Sequence, residues 1–225
     1  MSPVASILLL WLAFGLSHVL LSSGGIRAKL IRWLGERGFM GLYSLVALAT
    51  FIPLVSTYFA HKHQGALLWG SLAVSSWGLW AVYGVMAAAF VLLFAGFLTP
   101  SPTSMTSSPE AAQHPPSGVH LLTRHAVLMS FALFGVAHLM TNGYATDVAF
   151  FAGFPLFVLL GSLHQDRRKL ADPAANYAAF HAATPLIPFT GRQTLAGLRG
   201  LDRKALVAGI AAAWLVRHFH NDLFG

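Results

Sequence analysis

Residues 1–25 read MSPVASILLLWLAFGLSHVLLSSGG, and this stretch decides the fold class. From Pro3 to Leu21 it holds no Asp, Glu, Lys or Arg. A bilayer core about 30 Å thick is crossed by about 20 apolar residues of helix. Ser22, Ser23, Gly24 and Gly25 end the run, and Arg27, Lys29, Arg32 and Arg37 follow. Cations placed directly after an apolar run mark the cytoplasmic edge of a span. The stretch lacks the positive leader and small-residue cleavage site of a signal peptide, so the expectation is a first span that is retained.

The rest of the chain repeats this pattern. Of 225 residues, 56% are hydrophobic and only 9% charged, against about 25% charged in a soluble domain. Mean hydropathy is +0.65. So few charges cannot cover a soluble surface of this size, so lipid must face most of it. The absence of cysteine excludes disulfides and thiol chemistry. The formal charge of +7 does not point to nucleic acid, because the basic residues flank apolar spans rather than alternate with aromatics.

The expected fold is an all-α, polytopic membrane helix bundle, one domain over residues 1–225, with about six transmembrane helices. The spans are about 3–21, 40–59, 67–98, 126–140, 145–163 and 205–219. Residues 26–39 are amphipathic and read as an interfacial helix. Residues 99–118, rich in Ser, Thr and Pro, read as a flexible loop. Asn142-Gly143 reads as a tight turn, and 164–204 as a polar stretch with short interfacial helices. Twelve of the 14 Lys and Arg residues then fall on one side; Lys62 and Arg217 fall on the other. The positive-inside rule puts both termini outside. In a bacterial inner membrane that side is the periplasm.

Eleven histidines stand out beside seven acidic residues. His18 lies in the first span, and His125 and His138 lie at the two ends of the fourth. An ionisable group in the bilayer costs several kcal/mol unless partnered. One such histidine can be a helix–helix hydrogen bond. Two on different helices can hold one metal, and a bundle with axial histidines is a natural haem site. Tetrahedral zinc needs more ligands than these spans supply. His61-Lys62-His63 is a histidine cluster that falls on the outer side, unlike the repeated clusters of a di-iron desaturase. Asp166-Arg167-Arg168-Lys169 reads as a basic anchor, or as a clamp for haem propionates or lipid phosphates.

Around these histidines the chain resembles the NnrU family, and within it the 15-cis-ζ-carotene isomerase branch. Ser17-His18 is similar to an A-H-S signature. Ala60-His61-Lys62, Gly65 and Leu68-Trp69 resemble N-H-R, G and L-W. Thr123-Arg124-His125 and Ala137-His138 resemble T-R-H-P and A-H at the same separation. Asp166-Arg167-Arg168, Thr184, Pro188-Phe189 and Gly191-Arg192-Gln193 resemble D-R-R, T, P-F and G-R-Q. Ala126 replaces the proline of T-R-H-P, and Gly135 stands where plant isomerases carry a cysteine.

The resemblance implies a haem b protein with His18 and His138 as axial iron ligands and as the catalytic residues. Arg124, His125, Arg167 and Arg168 are the further candidates for holding the cofactor. The implied activity is isomerisation of the 15-cis double bond of poly-cis ζ-carotene, an apolar, lipid-soluble substrate. On the span limits above, His18 and His138 differ in depth by roughly 10 Å at about 1.5 Å per residue. His125 is nearer to His18 in depth, so a His18–His125 pair stays open. Three other readings stand beside the isomerase. They are an NnrU-type haem protein of electron transfer or nitrogen-oxide metabolism with an unnamed redox partner, a small membrane methyltransferase suggested by Arg124-His125, and a scaffold whose histidines join helices.

Overall fold

The computed structural model of the chain describes residues 1–103 and 115–224. Among these the architecture is all-α, with an isolated bridge between Leu67 and Tyr144 as the one β-type pairing. Helix α1 covers Pro3–Ser22, started by Pro3 and capped by the Ser2 hydroxyl, which accepts from the Ala5 N–H. Ile7, Trp11 and Phe14 are buried on one face. Leu8, Leu12, Leu16 and Leu20, four residues apart, are exposed on the other. That exposed leucine stripe is what a lipid-facing helix presents.

Helix α2, Gly24–Ala60, merges the expected interfacial segment and second span into one element, bent at Gly35. Gly35 has φ +71°, a left-handed backbone that favours glycine, so the helix turns there from interface to span. The third span differs from expectation. Its helix, α3, covers Ser76–Leu98 rather than starting near Leu67. Ser75 caps it by accepting from the Gly78 N–H. The preceding residues are pinned across the turn at Asn142-Gly143. Leu68 N–H donates to the Gly143 carbonyl at 2.8 Å, Ala145 N–H to the Ala66 carbonyl at 2.9 Å, and Trp69 Nε1 to the Leu139 carbonyl at 2.8 Å. A Cβ on Gly143 would stand 2.0 Å from the Trp69 carbonyl oxygen, so only glycine admits this approach. The apolar run 67–75 is therefore a docked loop with one short 3₁₀ turn at Leu72–Val74.

A single turn, α4 (Val119–Leu122), precedes α5, Ala126–Thr141, where the fourth span was expected. The fifth span is broken into α6, Ala145–Phe151, and α7, Gly153–Leu170. Pro155 has no N–H to return to the Phe151 carbonyl, which opens the ladder there. Trp11 Nε1 donates to the neighbouring Phe150 carbonyl at 3.0 Å. Short helices α8 (Ala178–Ala183) and α9 (Thr194–Arg199) follow, then α10, Arg203–His218, and α11, His220–Phe224. Within the expected loop 99–118, residues 104–114 lie outside the described residues. Thr103 is fixed, donating to the Arg124 carbonyl at 3.0 Å and accepting from Gln165 at 2.7 Å.

Among the described residues, four helical segments are long and apolar enough to cross a membrane: Pro3–Ser22, Gly24–Ala60, Ser76–Leu98 and Ala145–Leu170. Helix α5 is apolar but shorter. Helix α10 packs along α3 and exposes Val207, Ile210 and Trp214. Two cores result. An aliphatic one joins α3, α5, α7 and α10 around Leu92, Met129 and Val158. An aromatic one joins α1, α2, α6 and α7 around Trp11, Tyr58 and Phe154. The α6–α7 segment is the wall common to both.

Candidate functional site

The aromatic core connects the two intramembrane histidines. His18 lies one turn before the end of α1, and His138 one turn before the end of α5. Each ring turns back along its helix, as long helical side chains do. His18 Nδ1 meets the Phe14 carbonyl at 2.8 Å, and His138 Nδ1 meets the Phe134 carbonyl at 2.9 Å. A carbonyl can only accept, so in each ring Nδ1 carries the hydrogen, and in the neutral ring Nε2 keeps its lone pair. No described residue bonds either Nε2. Both rings are half-buried. This neutral tautomer, oriented through its other nitrogen, is the form that binds metals.

Ring contacts give their relative depth. His18 packs edge-on against Phe157 at 5.2 Å and Tyr43 at 5.0 Å. His138 stacks on Phe151 at 4.5 Å. Phe151 and Phe157 are six residues apart along α6–α7, about 9 Å at 1.5 Å per residue. Between these levels Phe154 packs on Trp11 at 5.1 Å and on Phe134 at 5.2 Å. Two imidazoles on one iron need nitrogens about 4 Å apart, since each metal–nitrogen bond is about 2 Å. The donor chemistry of His18 and His138 suits iron. Their spacing as packed does not fit a single bis-histidine haem.

His125 belongs to a different constellation, built on Asp166 near the basic end of α7. Asp166 is 3% exposed. His125 Nε2 lies 2.8 Å from its Oδ1, and Tyr177 donates its hydroxyl to the same oxygen at 2.7 Å. Arg124 Nε donates to Oδ2 at 2.9 Å, with a second guanidinium nitrogen at 2.8 Å. Arg124 also donates to the Thr184 carbonyl at 2.8 Å, and its backbone N–H to the Pro185 carbonyl at 2.9 Å. His181 approaches Oδ2 at 3.8 Å. The Tyr177 hydroxyl is held well above the ordinary phenol range, by burial first and then by its bond to the carboxylate. Burial, with Arg124 nearby, pushes the His181 imidazole down.

This cluster redistributes the expected site residues. Arg124 is committed to Asp166 and Thr184, and His125 offers only Nδ1, which is buried without a partner. The run Asp166-Arg167-Arg168-Lys169 does not act as one clamp. Asp166 faces inward, Arg167 is exposed, and Arg168 reaches the Ser22 carbonyl at 3.5 Å. At the opposite end, His63 joins a second buried acid. Asp147 is 0% exposed and accepts from Tyr58 at 3.1 Å and from the His63 backbone N–H at 3.1 Å, with His63 Nδ1 at 2.9 Å. The two buried carboxylates, Asp147 and Asp166, therefore each hold a histidine. Among the described residues, no group of three or more His, Asp or Glu could hold a metal ion. Tyr177 carries no periodic or motif signal. Thr184 belongs to the motif series but contributes through its carbonyl, which any residue supplies.

Thr123-Arg124-His125, Asp166 and Thr184 thus meet at one point from distant places in the chain. The model of the NnrU protein family matches residues 6–225. The chain belongs to the NnrU family. Within the reach of that match, it is 27% identical over 205 residues to the 15-cis-ζ-carotene isomerase, chloroplastic, of Arabidopsis thaliana, covering 86% of this chain and 53% of that protein. It is 23% identical over 198 residues to the protein of the same name from Zea mays, covering 84% of this chain and 51% of that one. The chain spans about half the length of these curated relatives. No solved structure matches it. For this NnrU-family chain, the buried Asp166 cluster is the fixed end of the bundle, and the aromatic corridor from His18 to His138 is the candidate for chemistry.

Proposed function

We propose that this NnrU-family protein is a membrane-embedded cis–trans isomerase of a carotenoid polyene, acting on the 15-cis bond of a poly-cis ζ-carotene. The similarity to two isomerases of that substrate over more than four-fifths of the chain carries the reading. The structure is consistent with it. A polyene is long, apolar and dissolved in the bilayer, and it needs a helix bundle open to lipid rather than an aqueous pocket. Trp11, Phe14, Phe134, Phe154 and Phe157 pack on one another between the two histidines, and the conjugated chain would lie against this aromatic core from the lipid side. Their part is to bind and align the conjugated chain and to exclude water.

Haem b remains the proposed cofactor, with His18 and His138 as its proposed ligands. It would supply redox-active iron beside the polyene. Binding between these two residues requires the aromatic packing that now separates them to rearrange. The proposed location is a bacterial inner membrane with both termini outside.

Cells that accumulate 15-cis-ζ-carotene test the function. Expression of this chain in the dark should convert the pigment to the isomer with a trans central bond. Persistence of the cis isomer with the protein abundant in the membrane refutes the reading. A second reading has an observation of its own. Two metal-competent imidazoles joined by a chain of aromatic rings also suit an electron-transfer haem protein. That role predicts a reversible haem couple and no change in carotene isomers.

A further inference from the structure

We propose that Arg27, Arg168 and Lys169 form a binding site for the phosphate of an anionic lipid headgroup, where the ends of α1, α2 and α7 meet. The site rests on the membrane fold and is independent of the isomerase reading.

Two helices, α2 and α7, supply the cations, and the end of α1 lies beside them. Arg168, in the last turn of α7, reaches the carbonyl of Ser22, the last residue of α1, over a long 3.5 Å bond. Arg27 lies in the first turn of α2, with its backbone N–H on the Ser23 carbonyl at 2.8 Å and its guanidinium over the Phe39 ring at 5.4 Å. Lys169 follows Arg168. Arg168 and Lys169 each sense Arg27 as a like charge, and only Asp172 offsets Lys169. All three cations are half-buried. Among the described residues none of them forms an ion pair, although four such pairs exist elsewhere. Asp166, the one acid in α7, is already held by Arg124, His125 and Tyr177.

Half-buried like charges held in no ion pair repel one another. Two guanidiniums and an ammonium brought by two helices match a phosphate, which accepts several charge-assisted hydrogen bonds at once. The level of the site identifies the source of that phosphate. The adjoining stretch of α2, before the bend at Gly35, exposes Ile26 at 41%, Trp33 at 82% and Leu34 at 38%. An apolar face with interleaved arginines lies in the headgroup region, where basic clusters select anionic lipids.

The full chain, delipidated in neutral detergent, provides the test through its thermal unfolding. The probes are dioleoyl phosphatidylglycerol, dioleoyl phosphatidylcholine and inorganic phosphate. The proposal expects phosphatidylglycerol to stabilise the fold at about tenfold lower mole fraction than phosphatidylcholine, with no saturable effect of inorganic phosphate. Arg168→Gln and the milder Lys169→Gln should each shrink that preference. Arg32→Gln, on the same segment but outside the cluster, should keep it. Equal responses to the two lipids overturn the proposal, and that comparison needs no variant. An equal loss in Arg32→Gln overturns it in favour of diffuse surface charge. Saturation by inorganic phosphate alone overturns the lipid assignment, and so does loss of lipid preference on adding haem, which would give the site to propionates.

Discussion

His18 and His138, on helices that run in opposite directions, make the same local bond. Each lays Nδ1 on the carbonyl four residues earlier, at 2.8 and 2.9 Å, and each leaves Nε2 unbonded among the described residues. The antiparallel arrangement points the two rings toward each other from opposite ends of the aromatic core. They are a matched pair in chemistry, and Phe154, packed with Trp11 and Phe134, separates them in depth.

The Asp166 cluster should govern folding rather than turnover. Asp166→Asn leaves the Arg124 guanidinium buried without its counter-charge. Breaking a buried pair in this way costs about 3–5 kcal/mol. Thermal unfolding in detergent should show a drop of that size, or the variant should fail to accumulate as a monodisperse protein. Tyr177→Phe removes one bond to the same carboxylate and should cost less, about 1.5–3 kcal/mol. Wild-type stability in Asp166→Asn would show that the cluster is not a keystone.

Gly135→Cys should be destabilising. A Cβ at Gly135 would stand 2.6 Å from the Phe151 carbonyl oxygen and 2.8 Å from Pro155 Cδ. Backbone and a rigid ring cannot move aside cheaply, so a penalty of about 1–3 kcal/mol is expected. The melting temperature of the purified variant checks it. An unchanged melt would mean that α5 and α6–α7 do not approach this closely.

His120 should impose an acid limb on stability. It is 6% exposed, with Nε2 buried and unpartnered, and burial pushes its imidazole down from 6.5 to about 4. The unfolded chain takes up a proton below about pH 6.5, whereas the folded protein does so only near pH 4. Stability is therefore complete above pH 6.5 and falls as pH drops toward 4, by about 3 kcal/mol from this residue. His120→Leu should flatten that limb and leave the melting temperature at pH 7.5 equal or higher. An acid limb of the same slope in the variant would place the titration elsewhere.

Much of this fold is legible in the residues. The runs Pro3–Leu21, Ala126–Met140 and Ala205–Phe219 lie within a few residues of helices α1, α5 and α10, and of these three α1 is long and apolar enough by itself to cross a membrane. The amphipathic run before Phe39 gives the interfacial half of α2. The run from Leu67 misleads because apolarity does not distinguish a helix from a loop docked against glycine, and Gly143 lies 76 residues downstream. The break at Ala152 depends on Pro155 and on Trp11 from another helix. At the site, single histidines at span positions are visible. The convergence of Arg124, His125 and Tyr177 on Asp166 is not, because loops of no regular period bring them together.

Dark isomerisation by the purified protein in lipid nanodiscs tests the central claim most directly. The substrate is 15-cis-ζ-carotene supplied in the bilayer, with isomers separated chromatographically and an absorption spectrum of each sample recorded beside the assay. The account predicts conversion of the central bond by the wild type. It predicts that His18→Ala and His138→Ala fall to the rate of empty nanodiscs while keeping the wild-type melting profile. A folded wild-type protein, supplied with haem b, that leaves the 15-cis bond unchanged would contradict it, as would full activity in both histidine variants.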